Sequence, residues 1–282
     1  MPVYEQSYRH WHGVLNPKTQ QWLIIARSGI KMLWRRWMII LVGVASIPFF
    51  IRVAHIYIAT RLGDTAQFGK FASQIQINPE LFKNFINQQS FFILLIVVFA
   101  GAGLISKDKK FNALQIYFSK PLLKWDYLLG KFTIIGFYIC LISLLPALLL
   151  FTTKVLLSDD LSFLKQHFWV VFSLFGFYLL ITLIYGGLIL ALSALGKGAR
   201  FAGISFFAII ILTGLIKKIL SSEPSIGVIS IGSDLQQMGD FLFNQPSSFA
   251  FPVWMAGVVL FGVSAICLII LKSQVRGTEV VK

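Results

Sequence analysis

The sequence predicts an all-α, polytopic membrane protein with six transmembrane helices. Composition and the length of the apolar runs support this prediction. Of the 282 residues, 57% are apolar and 13% are charged, and the mean hydropathy is +0.78. A typical globular chain is about 25% charged, and a soluble fold of this size cannot bury so much apolar surface. The composition therefore argues against a soluble enzyme, a disulfide-rich secreted domain and a disordered segment.

Six continuous apolar runs are each long enough to span a bilayer. A helix needs about 20 apolar residues to cross roughly 30 Å of hydrocarbon. The runs are unbroken, whereas a transmembrane β-barrel shows short alternating segments, so they predict helices. The predicted spans are residues 38–59, 85–105, 132–151, 168–195, 201–220 and 249–271.

The distribution of charge predicts the orientation. Seventeen of the 25 Lys and Arg residues lie in segments on one side of the predicted spans, seven lie on the other side, and Arg52 lies within the first span. The positive-inside rule then places both termini in the cytoplasm, as expected for a multi-pass protein of the cytoplasmic (inner) membrane. Residues 1–37 form a cytoplasmic arm, 38–271 the transmembrane domain and 272–282 a cytoplasmic tail. Topology and contact with anionic lipid explain the net charge of +14 without a nucleic-acid partner.

Several catalytic and transport motifs are absent from the sequence. There is no nucleotide-binding P-loop, so we expect no cofactor on this chain. No acidic residue lies within the six predicted spans, which argues against an ion-coupled carrier. His55, Cys140 and Cys267 are the only candidates for chemistry at membrane depth, and they show no metal-ligand spacing. An integral-membrane enzyme acting on lipids is therefore a weaker alternative.

The segment 17–37 predicts an amphipathic helix lying in the membrane interface. Apolar and basic residues follow helical spacing on two different faces, with tryptophans suited to headgroup depth and cations suited to lipid phosphate. The residues singled out for this helix are Trp22, Arg27, Lys31, Arg35 and Trp37. A plain membrane anchor with no further role is the alternative.

The connection 106–131, which we call the elbow, is too long for a minimal turn between adjacent spans. It predicts a short helix over 107–118 and a second helix beginning at Pro121, a residue well suited to the first position of a helix. Basic, aromatic and amide side chains make the elbow a natural docking surface. The alternative is a helical hairpin that contacts only lipid.

The elbow also carries a short motif. It contains Asp108, then Asn112-Ala113-Leu114, then Ser119-Lys120-Pro121, then Leu128-Leu129-Gly130-Lys131. With six spans and an amphipathic N-terminal helix, this arrangement resembles the permease subunits of ABC-2 type exporters. That family typically has an acidic residue, Gly-Thr-Leu, Ser-x-Pro and Leu-x-Gly-Lys. The Ser-x-Pro and Leu-Gly-Lys parts match, whereas Asn112-Ala113 replaces the Gly-Thr pair.

The resemblance implies a permease that is half of a translocation pathway and is driven by separate ATP-binding cassette subunits. ATP and Mg²⁺ would be bound by those partners, and a second copy of this chain or a sister permease would complete the pathway, with export the expected direction. The implied coupling residues are Asp108, Lys109, Phe111, Asn112, Leu114, Gln115, Ser119 and Pro121. The outer loop 221–248 is expected to contain a capping box at Ser233 and a short helix, either re-entrant or on the surface. A non-transporting membrane scaffold is the remaining alternative.

Overall fold

The computed structural model describes residues 21–62, 79–119, 122–158, 162–196, 198–219 and 224–275, and no strand occurs among them. The α-helices are α1 (Gln21–Leu33), α2 (Arg36–Ala45), α3 (Ile47–Tyr57), α4 (Pro79–Gly101), α5 (Ser106–Lys110), α6 (Ala113–Phe118), α7 (Lys124–Ile139), α8 (Leu145–Leu157), α9 (Ser162–His167), α10 (Trp169–Ile181), α11 (Gly187–Leu195), α12 (Ala199–Ile219), α13 (Ile231–Leu242) and α14 (Val253–Gln274).

Six helical stretches in this part of the chain are long and apolar enough to cross a membrane, which confirms the predicted fold class. We number them spans 1 to 6: Arg36–Thr60, Pro79–Lys110, Lys124–Leu157, Phe163–Leu195, Ala199–Ile219 and Val253–Gln274. Span 2 begins earlier than the apolar run predicts, at Pro79 rather than residue 85. The extra turn carries Lys83, whose charge is buried against Asp240 of α13, so a polar turn is stable inside the protein.

Spans 2, 3 and 4 form the centre of the bundle. Their most apolar stretches are 56–67% buried, whereas those of spans 1, 5 and 6 are 11–17% buried. The peripheral spans therefore present most of their apolar surface outward, where lipid or another membrane protein would cover it.

Spans 3 and 4 each contain a π-helical turn, at Cys140–Leu144 and Thr182–Gly186. In span 3 the turn precedes Pro146, which lies near the start of α8 and has no backbone N–H to continue the helical ladder. The wider π turn accommodates the missing hydrogen bond, so the helix continues past Pro146. Each π turn lies against the neighbouring span.

Helix α1 packs along span 3. A Cβ atom on Gly130 would lie 2.8 Å from Ile25 Cβ and 2.9 Å from the Trp22 carbonyl oxygen, so this close approach requires glycine. The Tyr138 hydroxyl donates to the Ile30 carbonyl at 3.1 Å. The Trp34 ring stacks on the Tyr138 ring with centroids 6.1 Å apart.

The prediction of one helix over 17–37 is wrong at its C-terminal end. Helix α1 ends at Leu33, Arg35 has an extended backbone, and Trp37 belongs to α2 at the start of span 1. The chain breaks here between α1, which packs on the first half of span 3, and span 1, which packs on the second half of the same span. Residues 17–20 lie outside the described residues, and the placement of α1 in a membrane interface stays a prediction.

Candidate coupling elbow

The elbow, residues 106–131, follows the turn after α4, which ends at Gly101, and contains α5, α6 and the first turns of α7. The predicted single helix over 107–118 is wrong, because Asn112 has φ 52° and separates α5 from α6. Asparagine tolerates this left-handed conformation better than most residues. The second helix begins at Lys124 rather than at Pro121, because Leu122 and Leu123 are not helical. Lys120 and Pro121 lie outside the described residues.

Asp108 ties α5 to the start of span 3. Its Oδ2 atom accepts a hydrogen bond from the Tyr127 hydroxyl at 2.7 Å and lies 2.7 Å from Lys131 Nζ. The Lys131 ammonium also lies 5.3 Å from the centre of the Tyr127 ring and 5.9 Å from that of Tyr117. Burial and the nearby Asp108 charge raise the pKa of the Tyr117 phenol, which keeps it protonated. Asp108 is thus part of a set of internal polar contacts that we call the brace. Its members are Asp108, Lys109, Tyr127, Lys131 and Ser193.

Lys109 ties the same helix to spans 4 and 6. Its Nζ donates to the Ala194 carbonyl oxygen at 2.8 Å and to Gln274 Oε1 at 3.0 Å. Ala194 lies in the last turn of α11, whose terminal carbonyls lack intrahelical partners and attract a cation.

Ser193 completes the brace. Its Oγ accepts hydrogen bonds from the backbone N–H groups of Ile105 and Ser106, at 3.2 and 3.0 Å, and donates to the Ala102 carbonyl at 2.8 Å. These contacts satisfy backbone groups of the turn between α4 and α5, where Ala102, Leu104 and Ile105 are buried. Ser193 was not among the predicted site residues, because a single serine in an apolar run is the only signal that it offers.

The other side of the elbow is exposed. Phe111 is 72% exposed and Ile116 is 67% exposed. Asn112, Gln115 and Ser119 are exposed beside them. We call these five residues the elbow surface; it combines two large apolar side chains with polar groups and resembles the mixed character of a protein-binding patch. Ile116 was not among the predicted site residues.

The structure therefore divides the predicted coupling residues into two groups. Asp108, Lys109 and Leu114 face inward, with Leu114 buried. Phe111, Asn112, Gln115 and Ser119 face outward. Pro121 lies outside the described residues.

The residues predicted for the interfacial helix also separate. Trp22 is half-buried beside Gly130, whereas Arg27, Lys31 and Arg35 are exposed and Trp37 is 82% exposed on span 1. Arg27 lies toward the elbow end of the bundle, since the first turns of α1 pack beside Gly130, and the helix then runs along span 3 to Tyr138.

Comparison with known proteins decides the family. A family model described as ABC-2 family transporter protein matches residues 23–246, which is most of the chain. This chain belongs to the ABC-2 transporter family. The match covers α1, the elbow and the first five spans and confirms the resemblance noted in the sequence. No curated protein matches the chain.

In this ABC-2 family member, the end of the bundle opposite the elbow contains a buried polar helix. Helix α13 packs against spans 2, 4, 5 and 6. The expected capping box at Ser233 is wrong: α13 begins after Ser230, and the Ser233 hydroxyl instead accepts a hydrogen bond from Lys217 Nζ at 2.6 Å. The helix is held by buried side chains rather than by its cap.

Two buried carboxylates distinguish α13. Asp240 forms an ion pair with Lys83 and accepts a hydrogen bond from the Ser248 backbone N–H at 2.8 Å. Asp234 is completely buried, and neither of its oxygens accepts a hydrogen bond from a described residue. Desolvation raises the pKa of Asp234 to about 7, although the nearby Lys217 charge acts in the opposite direction. The predicted spans contain no acidic residue, yet the bundle buries two on this helix.

Few side chains in the described ranges could take part in a reaction at membrane depth. Cys140 and Cys267 are free thiols. No group of three or more His, Cys, Asp or Glu side chains there is arranged to hold a metal ion. Arg52 donates to Gln88 Oε1 at 3.3 Å, which ties span 1 to span 2.

Proposed function

We propose that this chain is the membrane-spanning permease subunit of an ATP-driven exporter and that separate ATPase subunits drive it through the elbow. The observation that carries the proposal is the two-sided elbow. One side is bonded to the bundle, and the other exposes Phe111 and Ile116. Such an element can receive a partner's force on one side and pass it to the spans on the other.

The brace provides the route for that force. Movement of α5 is carried to span 3 through Asp108 and Lys131, and to spans 4 and 6 through Lys109. The Ser193 contacts keep the turn before α5 fixed to span 4. An ionic and hydrogen-bonded connection of this kind is directional and resists sliding, which suits a lever better than apolar contact alone.

The remaining parts of the proposal rest on the family resemblance, on charge and on packing. The partner ATPase binds ATP and Mg²⁺. The elbow and both termini face the cytoplasm, as the excess of Lys and Arg at this end favours, and the protein lies in the inner membrane. A second copy or a sister permease covers part of the exposed apolar surface of spans 1, 5 and 6.

Copurification from native membranes tests the proposal. The tagged chain is extracted in mild detergent, and the ATP hydrolysis that it retains is measured. Ile116→Asp places a charge in the elbow surface, and we expect it to lower the retained ATP hydrolysis at least tenfold. The matched control is Ile219→Asp, since Ile219 is 80% exposed at the opposite end of span 5. Absence of ATP hydrolysis with the wild-type chain, or equal loss in both variants, would overturn the proposal.

A further inference from the structure

A cavity of about 560 Å³ opens beside the elbow, between α1, the end of span 2 and the start of span 5. Its volume lies within the range of small-molecule and cofactor sites. One part of its lining is apolar and comes from Phe99, Ile204 and Phe207. Phe99 and Ile204 are well exposed there, so the cavity opens toward the surface that lipid would contact.

The other part of the lining is charged. Lys107, Lys131, Arg200 and Asp108 contribute to it. Asp108 and Lys131 are already paired with each other. Lys107 and Arg200 form no ion pair or side-chain hydrogen bond with any described residue. Within the described ranges, Lys107 and Arg200 are thus two cations without an ion-pair partner beside an apolar groove.

The Lys107 side chain is directed toward this cavity. A Cβ atom on Gly103 would lie 3.0 Å from Lys107 Cε and 3.4 Å from Lys107 Nζ, so the side chain lies back across Gly103, which also lines the cavity. The absence of a side chain at Gly103 leaves room for this conformation. Arg200 lies in the first turn of α12 and contributes to the same cavity.

We propose that this cavity binds one anionic phospholipid from the adjoining membrane leaflet, with its phosphate between Lys107 and Arg200 and its acyl chains along Phe99, Ile204 and Phe207. Charge complementarity selects this occupant. A guanidinium binds phosphate oxygens in a fork, an ammonium adds a second charge, and an apolar chain covers the rest of the groove. A second copy of the protein would have to bury both cations against its own surface. The inference does not depend on the proposed function.

The bound lipid would have a structural consequence. Lys107 belongs to α5, and Arg200 to span 5, which the brace does not reach. A phosphate between them would connect the elbow to span 5. The site thus makes the position of the elbow sensitive to the anionic lipid content of the leaflet.

Lipid retention by the purified chain tests this inference. The protein is exchanged into mixed micelles with phosphatidylglycerol or phosphatidylcholine, and bound lipid is counted by native mass spectrometry. We expect one tightly retained phosphatidylglycerol and roughly tenfold weaker retention after Lys107→Gln with Arg200→Gln. The matched control, Lys110→Gln with Arg27→Gln, removes one Lys and one Arg that are exposed at the same end but do not line the cavity.

A second variant tests the apolar part without changing charge. Ile204→Trp fills the groove at an exposed position, and we expect it to lower phosphatidylglycerol retention to a similar extent. Equal retention of the two lipids by the wild-type chain would overturn the inference, as would equal loss in the matched control. It would also be overturned if Ile204→Cys cross-linked two copies in high yield, because a second copy would then cover the groove.

Discussion

Asp108 and Lys131 are 23 positions apart and lie 2.7 Å from each other, which closes the elbow against the start of span 3. Lys131 is 7% exposed, and its ammonium forms an ion pair with the Asp108 carboxylate. The pair therefore gives the elbow a fixed position on the bundle, and the contacts of Lys109 and Ser193 extend that connection to span 4.

Loss of the Asp108 carboxylate should destabilise the protein. Asp108→Asn leaves Lys131 buried without a counterion, and we expect the free energy of unfolding to fall by about 2–3 kcal/mol. Lys131→Met in the Asp108→Asn background should recover part of this loss, because it removes the unpaired charge. Denaturation of the detergent-solubilised chain measures the effect, and strictly additive effects of the two changes would contradict the pairing.

The close approach of α1 to span 3 predicts a strict size limit at Gly130. Gly130→Ala places a Cβ atom against Ile25 and the Trp22 carbonyl oxygen. We expect a loss of about 1–3 kcal/mol, because α1 must move away. Gly257→Ala is the matched control, since a Cβ atom on Gly257 in span 6 meets nothing within 4 Å. A similar melting temperature for the two variants would show that α1 does not pack here.

Asp234 predicts a specific dependence of stability on pH. Burial raises its pKa from 3.8 to about 7, so the folded protein holds a proton that the unfolded chain has released. Stability should therefore fall as the pH rises from about 4 to 7 and then level off. Asp234→Asn should remove this slope and raise the melting temperature above that of the wild type at pH 8.

The difference between Asp234→Asn and the wild type should shrink as the pH approaches 4. Asp126→Asn serves as the control, because Asp126 is only half-buried in the first turn of α7. Melting curves between pH 4 and 8 test the prediction. The prediction would be contradicted if the stability of the wild type rose between pH 4 and 8 and if Asp234→Asn abolished that rise.

The six spans could be predicted from the sequence because each depends on a local property, a continuous apolar run. The brace could not, because its bonds join residues far apart in the chain. Lys109 and Gln274 are separated by 165 positions, and Ser106 and Ser193 by 87. The family resemblance implied that Asp108 and Lys109 are coupling residues, but not that they face inward. Helix boundaries at Leu33 and Asn112 also escaped prediction, since packing of α1 and a left-handed asparagine decide them.

Lys109 offers the sharpest test of the elbow as a lever. Lys109→Met removes the bonds to Ala194 and Gln274 but leaves the exposed Phe111 and Ile116 unchanged. We expect copurified ATP hydrolysis to persist while export by reconstituted vesicles falls severalfold, because the partner still binds but moves spans 4 and 6 less effectively. Lys124→Met is the control, since Lys124 is exposed at the start of span 3. Parallel loss of ATP hydrolysis and export in Lys109→Met would assign Lys109 to partner binding instead, and unchanged export would remove it from the route altogether.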